Sequence, residues 1–422
     1  MPPQKNTSIL ITKRLKYLQK RLRLIPAHYF GNSFYLFDEA ALADAVASFE
    51  KNLKGVTPFY AMKANDRDEI LTYLAQAGWS FDAASAAEVE KLIALGVSGD
   101  RIILANPFKD RRTLETMVEH RVAMTTADSP EELVKLQQVY QDLAPEEQPL
   151  VLIRISLPAE GVQTDLGVKF GCPPIQALQL LKNCLKLGLK PGGISFHVGT
   201  QSWNLGNYER CLEASLWVLK EFERETGIDL RLIDIGGGFP WGSADGSGPL
   251  AVEPLLAEIG QLTAQAQAEG YVLQAQPGRV ICAGAFTLVS TVIGKTHRNQ
   301  RVWYYLSDGV YGAYNGILYD HQPYLFLPLG RSLEETAAWD DAVVCGPTCD
   351  GVDIMSQGSP LPVDLELGDA LFTPDIGAYS MVAASQFNGF DRARIVPVSS
   401  LPELSHDLLP FQADPEAALL VS

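Results

Sequence analysis

Two runs far apart in the chain carry side chains suited to amine chemistry. Cys345-Gly346-Pro347-Thr348-Cys349-Asp350-Gly351-Val352-Asp353 sets a thiol beside a carboxylate, and Phe59-Tyr60-Ala61-Met62-Lys63-Ala64-Asn65 sets a lone lysine at the end of an apolar stretch. Burial among hydrophobic walls disfavours the ammonium, lowers the amine's pKa and makes it a nucleophile toward aldehydes. Most lysines are structural, so the neighbours decide. Gly236-Gly237-Gly238-Phe239-Pro240 directly follows the apolar run 232–235, where bare backbone N–H groups can face a phosphate, although such turns are also common connectors. Gln276-Pro277-Gly278-Arg279 adds a guanidinium, whose fork suits phosphate oxygens. His197, in Phe196-His197-Val198-Gly199-Thr200, ends another apolar run and is either a structural side chain or a ring that lies flat on an aromatic one. A lysine and a phosphate cradle meeting at four strand ends point to pyridoxal phosphate.

Those groups need a scaffold that brings strand ends together. From about Phe34 to Leu273, short apolar runs alternate with longer amphipathic ones: Thr57 to Ala61 then Arg67 to Ala77, Ser80 to Ala83 then Ala86 to Leu95. That is the rhythm of βα units. Further strands are expected at Arg101 to Leu104, Val122 to Thr125, Leu150 to Ile155, Gly193 to Phe196, Leu232 to Ile235 and Tyr271 to Gln274. About eight such units close a (β/α)8 barrel, whose functional groups stand at the C-terminal strand ends. After Arg279 the pattern turns β-rich, at Ala285 to Ile293, Val302 to Leu306, Ala342 to Cys345 and Ala370 to Thr373. A second, mostly antiparallel domain follows. The expected organisation is a basic segment over 1–33 with a strand joining the β domain, a cofactor-binding barrel over 34–275, and a C-terminal β domain over 276–422. The stretch Gly-Ser-Ala-Asp-Gly-Ser-Gly from Gly242 reads as a surface loop.

At 422 residues the chain exceeds one typical domain. With 34 basic and 50 acidic residues its net charge is -16, which disfavours nucleic acid and anionic lipid. No apolar run is long enough to span a membrane, so small-molecule chemistry or a protein partner is expected. The six cysteines have no paired Cys-x-x-Cys spacing, which fits a reducing cytoplasm and calls for no metal. The first 37 residues hold no Asp or Glu but include Lys5, Lys13, Arg14, Lys16, Lys20, Arg21 and Arg23. Such a composition suits either a targeting segment or a basic helix leading into the fold. Leu10, Leu15, Leu18 and Leu22, at helical spacing, favour the helix.

From about residue 30 to 395 the chain resembles the fold type III pyridoxal-phosphate decarboxylases, specifically the ornithine and basic amino-acid group. The resemblance is carried by Pro58-Phe59-Tyr60-Ala61-Met62-Lys63-Ala64-Asn65, Phe81-Asp82-Ala83-Ala84-Ser85, Phe196-His197-Val198-Gly199, Asp234-Ile235-Gly236-Gly237-Gly238-Phe239-Pro240, Asp308-Gly309-Val310-Tyr311-Gly312, Leu318-Tyr319-Asp320-His321, Gly346-Pro347-Thr348-Cys349-Asp350 and Gly377-Ala378-Tyr379. It implies an alanine racemase-like architecture, a barrel plus a C-terminal β domain. It implies Lys63 as the Schiff-base lysine, His197 stacked on the cofactor ring, and Gly238, Gly278, Arg279 and Tyr379 around the phosphate. Thr200 stands where the family usually has serine and keeps the hydroxyl. Asp82, Glu88 and Arg154 would form the polar shell around ring and lysine. The resemblance further implies a head-to-tail homodimer with shared sites, so that Cys349 and Asp350 come from the partner chain. Cys349 would return a proton to Cα after carbon dioxide leaves. Asp320 and Asp350 would grip the distal ammonium of ornithine or lysine, with Tyr311, Tyr319 and Phe387 lining the same pocket.

One position departs from the family. Gln276 stands where a glutamate is expected to hold the ring nitrogen protonated. A charge-assisted bond replaced by a neutral one loses on the order of 1 to 3 kcal/mol. The consequence is either a tolerated change within a decarboxylase or a weaker electron sink with racemase-like proton exchange. A non-catalytic regulatory relative is a third reading, against which stands the presence of Lys63, His197, Arg279, Tyr379 and Cys349.

Overall fold

The computed structural model describes residues 13–144, 146–242, 252–333 and 339–402. Among these, 44–242 and 252–282 form one compact unit, and 13–43 with 283–402 form another. The chain begins its described course with helix α1 (Lys13–Leu22), strand β1 (Phe34–Phe37) and helix α2 (Glu39–Asn52).

The first unit is built on eight strands: β2 (Val56–Ala61), β3 (Ser80–Ala83), β4 (Ile102–Leu104), β5 (Met124–Ala127), β6 (Leu150–Ile155), β7 (Lys190–Phe196), β8 (Leu232–Asp234) and β9 (Val272–Ala275). They form a closed barrel in chain order, every neighbour parallel, with β9 returning to β2 through the register Val56 to Leu273. All eight expected runs are therefore strands. Between them run α3 (Asp68–Gln76), α4 (Ala86–Ala94), α5 (Arg111–Glu119), α6 (Pro130–Tyr140), α7 (Pro174–Lys186), α8 (Leu205–Thr226) and α9 (Glu253–Ala268), and α10 (Arg279–Cys282) follows β9. Local sequence sets the helix ends. Ser85 and Asp110 accept N–H bonds from Glu88 and Thr113, and Ser129 accepts from Glu132 with Pro130 as the first helical residue; such caps each contribute about 1 kcal/mol. Phe59, Ile103, Ala105, Met124 and Leu152 pack together as an apolar cluster within this unit.

The second unit holds a mixed sheet. Its strands are β1, β10 (Phe286–Arg298), β11 (Arg301–Leu306), β12 (Leu327–Pro328), β13 (Asp340–Cys345), β14 (Ile354–Leu361), β15 (Ala370–Thr373) and β16 (Arg394–Pro397), with the short helix α11 (Gly316–Tyr319) after β11. The order is β12-β15-β10-β11-β13-β14, and β1 joins by pairing with β10 and β16. Pairing is antiparallel except for β1 with β16 and β11 with β13.

The strand joining this sheet was expected within 1–33, with the barrel opening at 34. Instead Phe34–Phe37 is that strand, antiparallel to β10 from Phe34 opposite Val289 to Phe37 opposite Phe286. All four residues are buried, so an even apolar run does not reveal which sheet will hold it. At the other boundary, 276–282 belong with the barrel rather than with the β unit. Helix α1 buries Leu15, Leu18 and Leu22 with Phe34, Leu36, Val289 and Phe372. Its Gln19 amide donates to the carbonyls of Pro328, Leu329 and Arg331, and Arg21 donates to those of Val398 and Pro402. Residues 13–22 are thus core-forming. Lys5, Leu10 and the Gly-Ser-rich stretch after Gly242 lie outside the described residues. No helix among the described residues is long and apolar enough to cross a membrane.

Candidate active site

The barrel carries nine of the expected site residues at or just beyond the C-terminal ends of its strands. Lys63 lies in the turn after β2, Asp82 in β3, Arg154 in β6, His197 and Thr200 after β7, Gly238 after β8, and Gln276, Gly278 and Arg279 after β9. Lys63 Nζ meets Asp82 Oδ2 at 2.8 Å, with the lysine partly open to solvent and the aspartate 2% exposed. Asp82 Oδ1 is buried with no hydrogen-bond partner. The turn holding Lys63 packs closely on β9's exit: a Cβ on Gly278 would come within 2.9 Å of Ala64 Cβ and 3.3 Å of Ala61 Cβ. Glycine at 278 is therefore what lets the lysine and the Arg279 segment approach.

His197 is half-buried, and its pKa falls well below the ordinary value because desolvation, and then Arg154 and Lys63, disfavour the imidazolium. The Gly199 N–H donates to Nδ1 at 3.1 Å, so the ring is neutral and carries its proton on Nε2. Gly237 lies against this ring; a Cβ there would sit 3.0 Å from His197 Nε2 and 2.9 Å from the Gln276 carbonyl oxygen. Gly238, with φ +97°, would clash through a Cβ with the Gly199 carbonyl at 2.5 Å. The triple-glycine turn thus runs with bare backbone beside the histidine and Thr200's loop, which Thr200 N–H ties to the Thr164 carbonyl. Arg154 is half-buried, with its guanidinium over the Phe170 ring at 5.2 Å; desolvation lowers its pKa while Asp82, Asp128 and Asp234 oppose that shift. Glu88 bonds the Ala84 N–H at 2.6 Å, and burial, with Asp82 behind it, raises its pKa. It serves the start of α4 as well as the polar shell.

Gln276 has a partner that the sequence reading did not assign. Its Nε2 donates to Asp234 Oδ2 at 2.5 Å inside the barrel end. Asp234 also accepts from the Gly236 N–H at 2.8 Å and from Ser195 Oγ at 3.2 Å. Burial raises its pKa to about 6. The carboxylate fixes the amide's orientation, because only the NH2 end can donate to it.

The sheet unit carries seven more of the expected residues. Cys349 is the one exposed cysteine among the six, all of which are free. Its N–H and its Sγ both approach Asn388 Oδ1, at 3.3 and 3.4 Å. Asp350 accepts from the Tyr311 hydroxyl at 2.5 Å and from the Val352 N–H at 3.1 Å. These two bonds hold the Asp350 carboxyl below its ordinary pKa, Tyr311 contributing most. Phe387 stacks on Tyr311 with ring centroids 4.3 Å apart. Behind this loop Asp353 is 3% exposed and accepts from the Val310 N–H and from Thr348 N–H and Oγ1, so it ties the 308–313 and 346–353 segments together. Tyr319 is exposed at the end of α11, Asp320 follows as its C-cap, and Tyr379 takes a left-handed backbone at φ 55°. Asn388, Asp353 and Asp234 are the site-forming residues that sequence reading passed over. Asp353 and Asp234 stand inside quoted motifs, whereas Asn388 directly follows the expected pocket residue Phe387.

The barrel end fits pyridoxal phosphate. An amine on a buried carboxylate, an unpartnered buried acceptor on Asp82, a neutral ring against bare glycine backbone, and a buried arginine after β9 match an aldehyde, polar ring substituents, an aromatic face and a phosphate.

Residues 39–283 match the family described as pyridoxal-dependent decarboxylase, pyridoxal binding domain. The lysine/ornithine decarboxylase of Selenomonas ruminantium is 37% identical over 348 residues, covering 82% of this chain and 84% of that protein. The ornithine decarboxylase of Caenorhabditis elegans is 33% identical over 377 residues, covering 86% of each. Among solved structures, SrLDC in complex with PLP and cadaverine superposes with a TM-score of 0.80 at 32% identity over 92% of this chain and 94% of that one. Lysine/ornithine decarboxylase from Vibrio vulnificus, complexed with cadaverine, gives 0.80 at 28% identity over 92% and 99%. With its barrel, its β unit and its lysine-centred strand ends in place, this chain belongs to the fold type III pyridoxal-phosphate-dependent decarboxylases, in the group acting on ornithine and other basic amino acids.

Proposed function

We propose that the chain decarboxylates L-ornithine to putrescine, with L-lysine to cadaverine as the related reaction. The observation that carries this reading is the Cys349-Asp350 pair. A carboxylate held anionic by the Tyr311 hydroxyl stands next in sequence to an exposed thiol, so a cation receptor and a proton donor share one loop. Bound pyridoxal phosphate supplies the electron sink that makes loss of carbon dioxide feasible.

The chain's own residues supply the rest. Lys63 would hold the cofactor, with Asp82 as the acceptor for its freed ammonium. His197, neutral and immobilised by the Gly199 N–H, offers a flat face without adding charge. Gly238, Gly278, Arg279, Thr200 and Tyr379 bind the phosphate, and Arg154 completes the polar shell. Asp350 and Asp320 take the distal ammonium, flanked by Tyr311, Tyr319 and Phe387. Cys349 Sγ gives its proton to Cα and regains one from water.

Gln276 fits this chemistry better than its departure from the family suggests. Because Asp234 takes the amide NH2, the amide offers its oxygen on the other side, an acceptor that favours a protonated ring nitrogen. That supports retained decarboxylation over racemase-like exchange.

The active protein is a head-to-tail homodimer in which the barrel of one chain works with Cys349 and Asp350 of its partner. Mixing Lys63→Ala and Cys349→Ala subunits then restores about one intact site per heterodimer; activity no greater than that of either parent overturns the shared-site reading. Six unbridged cysteines support a reducing cytoplasm.

A further inference from the structure

Two neighbouring residues, Phe387 and Asn388, hold two other neighbouring residues, Cys349 and Asp350. Phe387 stacks on Tyr311, whose hydroxyl donates to Asp350, while Asn388 Oδ1 meets both the backbone N–H and the Sγ of Cys349. The first contact serves the carboxylate and the second the thiol. Asn388 sits in a left-handed turn, φ 56° and ψ 13°, within the segment 387–389. Asparagine tolerates that conformation better than most residues with a side chain.

The chemistry of the second contact is fixed by the first of its two bonds. A backbone N–H can only donate, so the Asn388 atom facing Cys349 must be the amide oxygen. That oxygen is an acceptor, and the sulfur 3.4 Å away can satisfy it only as S–H. Bonding to the neutral form of an acid favours that form.

We propose that Asn388 is a positioning residue that anchors the Cys349 thiol and fixes its direction, ready to deliver its proton. The inference rests on the reading of Cys349 as proton donor, but the thiol's ionisation is measured without turnover. The proton passes from Sγ to Cα, leaving a thiolate that water reprotonates, and Asn388 receives the restored S–H. The titratable groups that the contacts of this loop bring beside the thiol are Asp350, Asp353 and Tyr311. All remain in place in the variants below.

The test is the pH profile of iodoacetamide alkylation of Cys349 in cofactor-loaded protein, the other five cysteines being buried. Asn388→Gly keeps the left-handed turn and removes the acceptor; Asn388→Asp keeps the acceptor and adds a charge. At pH 7 the Gly variant reacts at least threefold faster than wild type and the Asp variant at least threefold slower. Superposed profiles in folded variants, checked by thermal melting, overturn the proposal. If the Gly variant does not fold, the Asp variant decides alone: slower alkylation supports the assignment, and unchanged or faster alkylation refutes it.

Discussion

Replacing Gln276 by glutamate restores the residue the family expects, yet in this chain it sets a carboxylate against Asp234. The two side chains are 2.5 Å apart in the native pair, and burial already holds Asp234 at about 6. If both carboxylates ionise, two charges about 4 Å apart in an effective dielectric of about 20 repel by roughly 4 kcal/mol. If the new carboxyl stays protonated, holding a proton at pH 7 on a group with an unfolded pKa of about 4.3 costs about 1.36 × 2.7, or roughly 4 kcal/mol. Either route gives the same penalty. A carboxyl whose folded pKa is raised loses no stability below its unfolded pKa, and the loss grows as pH rises toward the folded value. At pH 5 the protonation route therefore costs only about 1 kcal/mol. Urea unfolding of cofactor-free Gln276→Glu protein, beside wild type, is expected to show a deficit of about 4 kcal/mol at pH 7 that shrinks to about 1 at pH 5. A deficit that is the same at both pH values, or none at pH 7, refutes the Asp234–Gln276 contact and the amide orientation drawn from it.

Tyr311→Phe removes the bond that contributes most to holding Asp350 below its ordinary pKa. The carboxylate then protonates at higher pH, so the acid limb of a kcat/KM profile for ornithine moves upward in pH; an unshifted limb counts against Asp350 as the cation receptor. Asp353→Ala strands the buried Val310 N–H and two part-buried Thr348 donors, which should lower stability by about 2 kcal/mol or more, read from a urea midpoint. Gly278→Ala brings a methyl within 2.9 Å of Ala64 Cβ, so cofactor affinity, measured by the absorbance of the Lys63-bound form, should fall at least tenfold. An affinity equal to wild type would show that the close approach is not needed.

The barrel was legible because its signal is repeated. Eight runs of one kind, spaced by helix-length segments, leave little freedom in parallel βα topology. The site on it was legible for a related reason, since functional groups on such a barrel must follow strand ends, as Lys63, His197, Gly238 and Arg279 do. The β unit was read less fully. Phe34–Phe37 was assigned to the wrong layer because a fully apolar four-residue strand suits either one, and its partners β10 and β16 lie more than 240 residues away along the chain. β14, with the polar run Ser356-Gln357-Gly358-Ser359, has no even alternation to announce it. Asp234, Asp353 and Asn388 were missed because their work is positional. A buried carboxylate that collects N–H donors, or an amide turned by a backbone N–H, is defined by partners up to tens of residues distant rather than by spacing.

The most direct test of the account supplies cofactor-loaded protein with L-ornithine, L-lysine and the neutral straight-chain amino acid of the same length as lysine, and measures carbon dioxide and amine release. The account predicts release of carbon dioxide with putrescine or cadaverine from the cationic substrates, strong discrimination against the neutral one, and loss of that discrimination in Asp350→Asn. Equal rates on cationic and neutral substrates, or discrimination that survives Asp350→Asn, would contradict it.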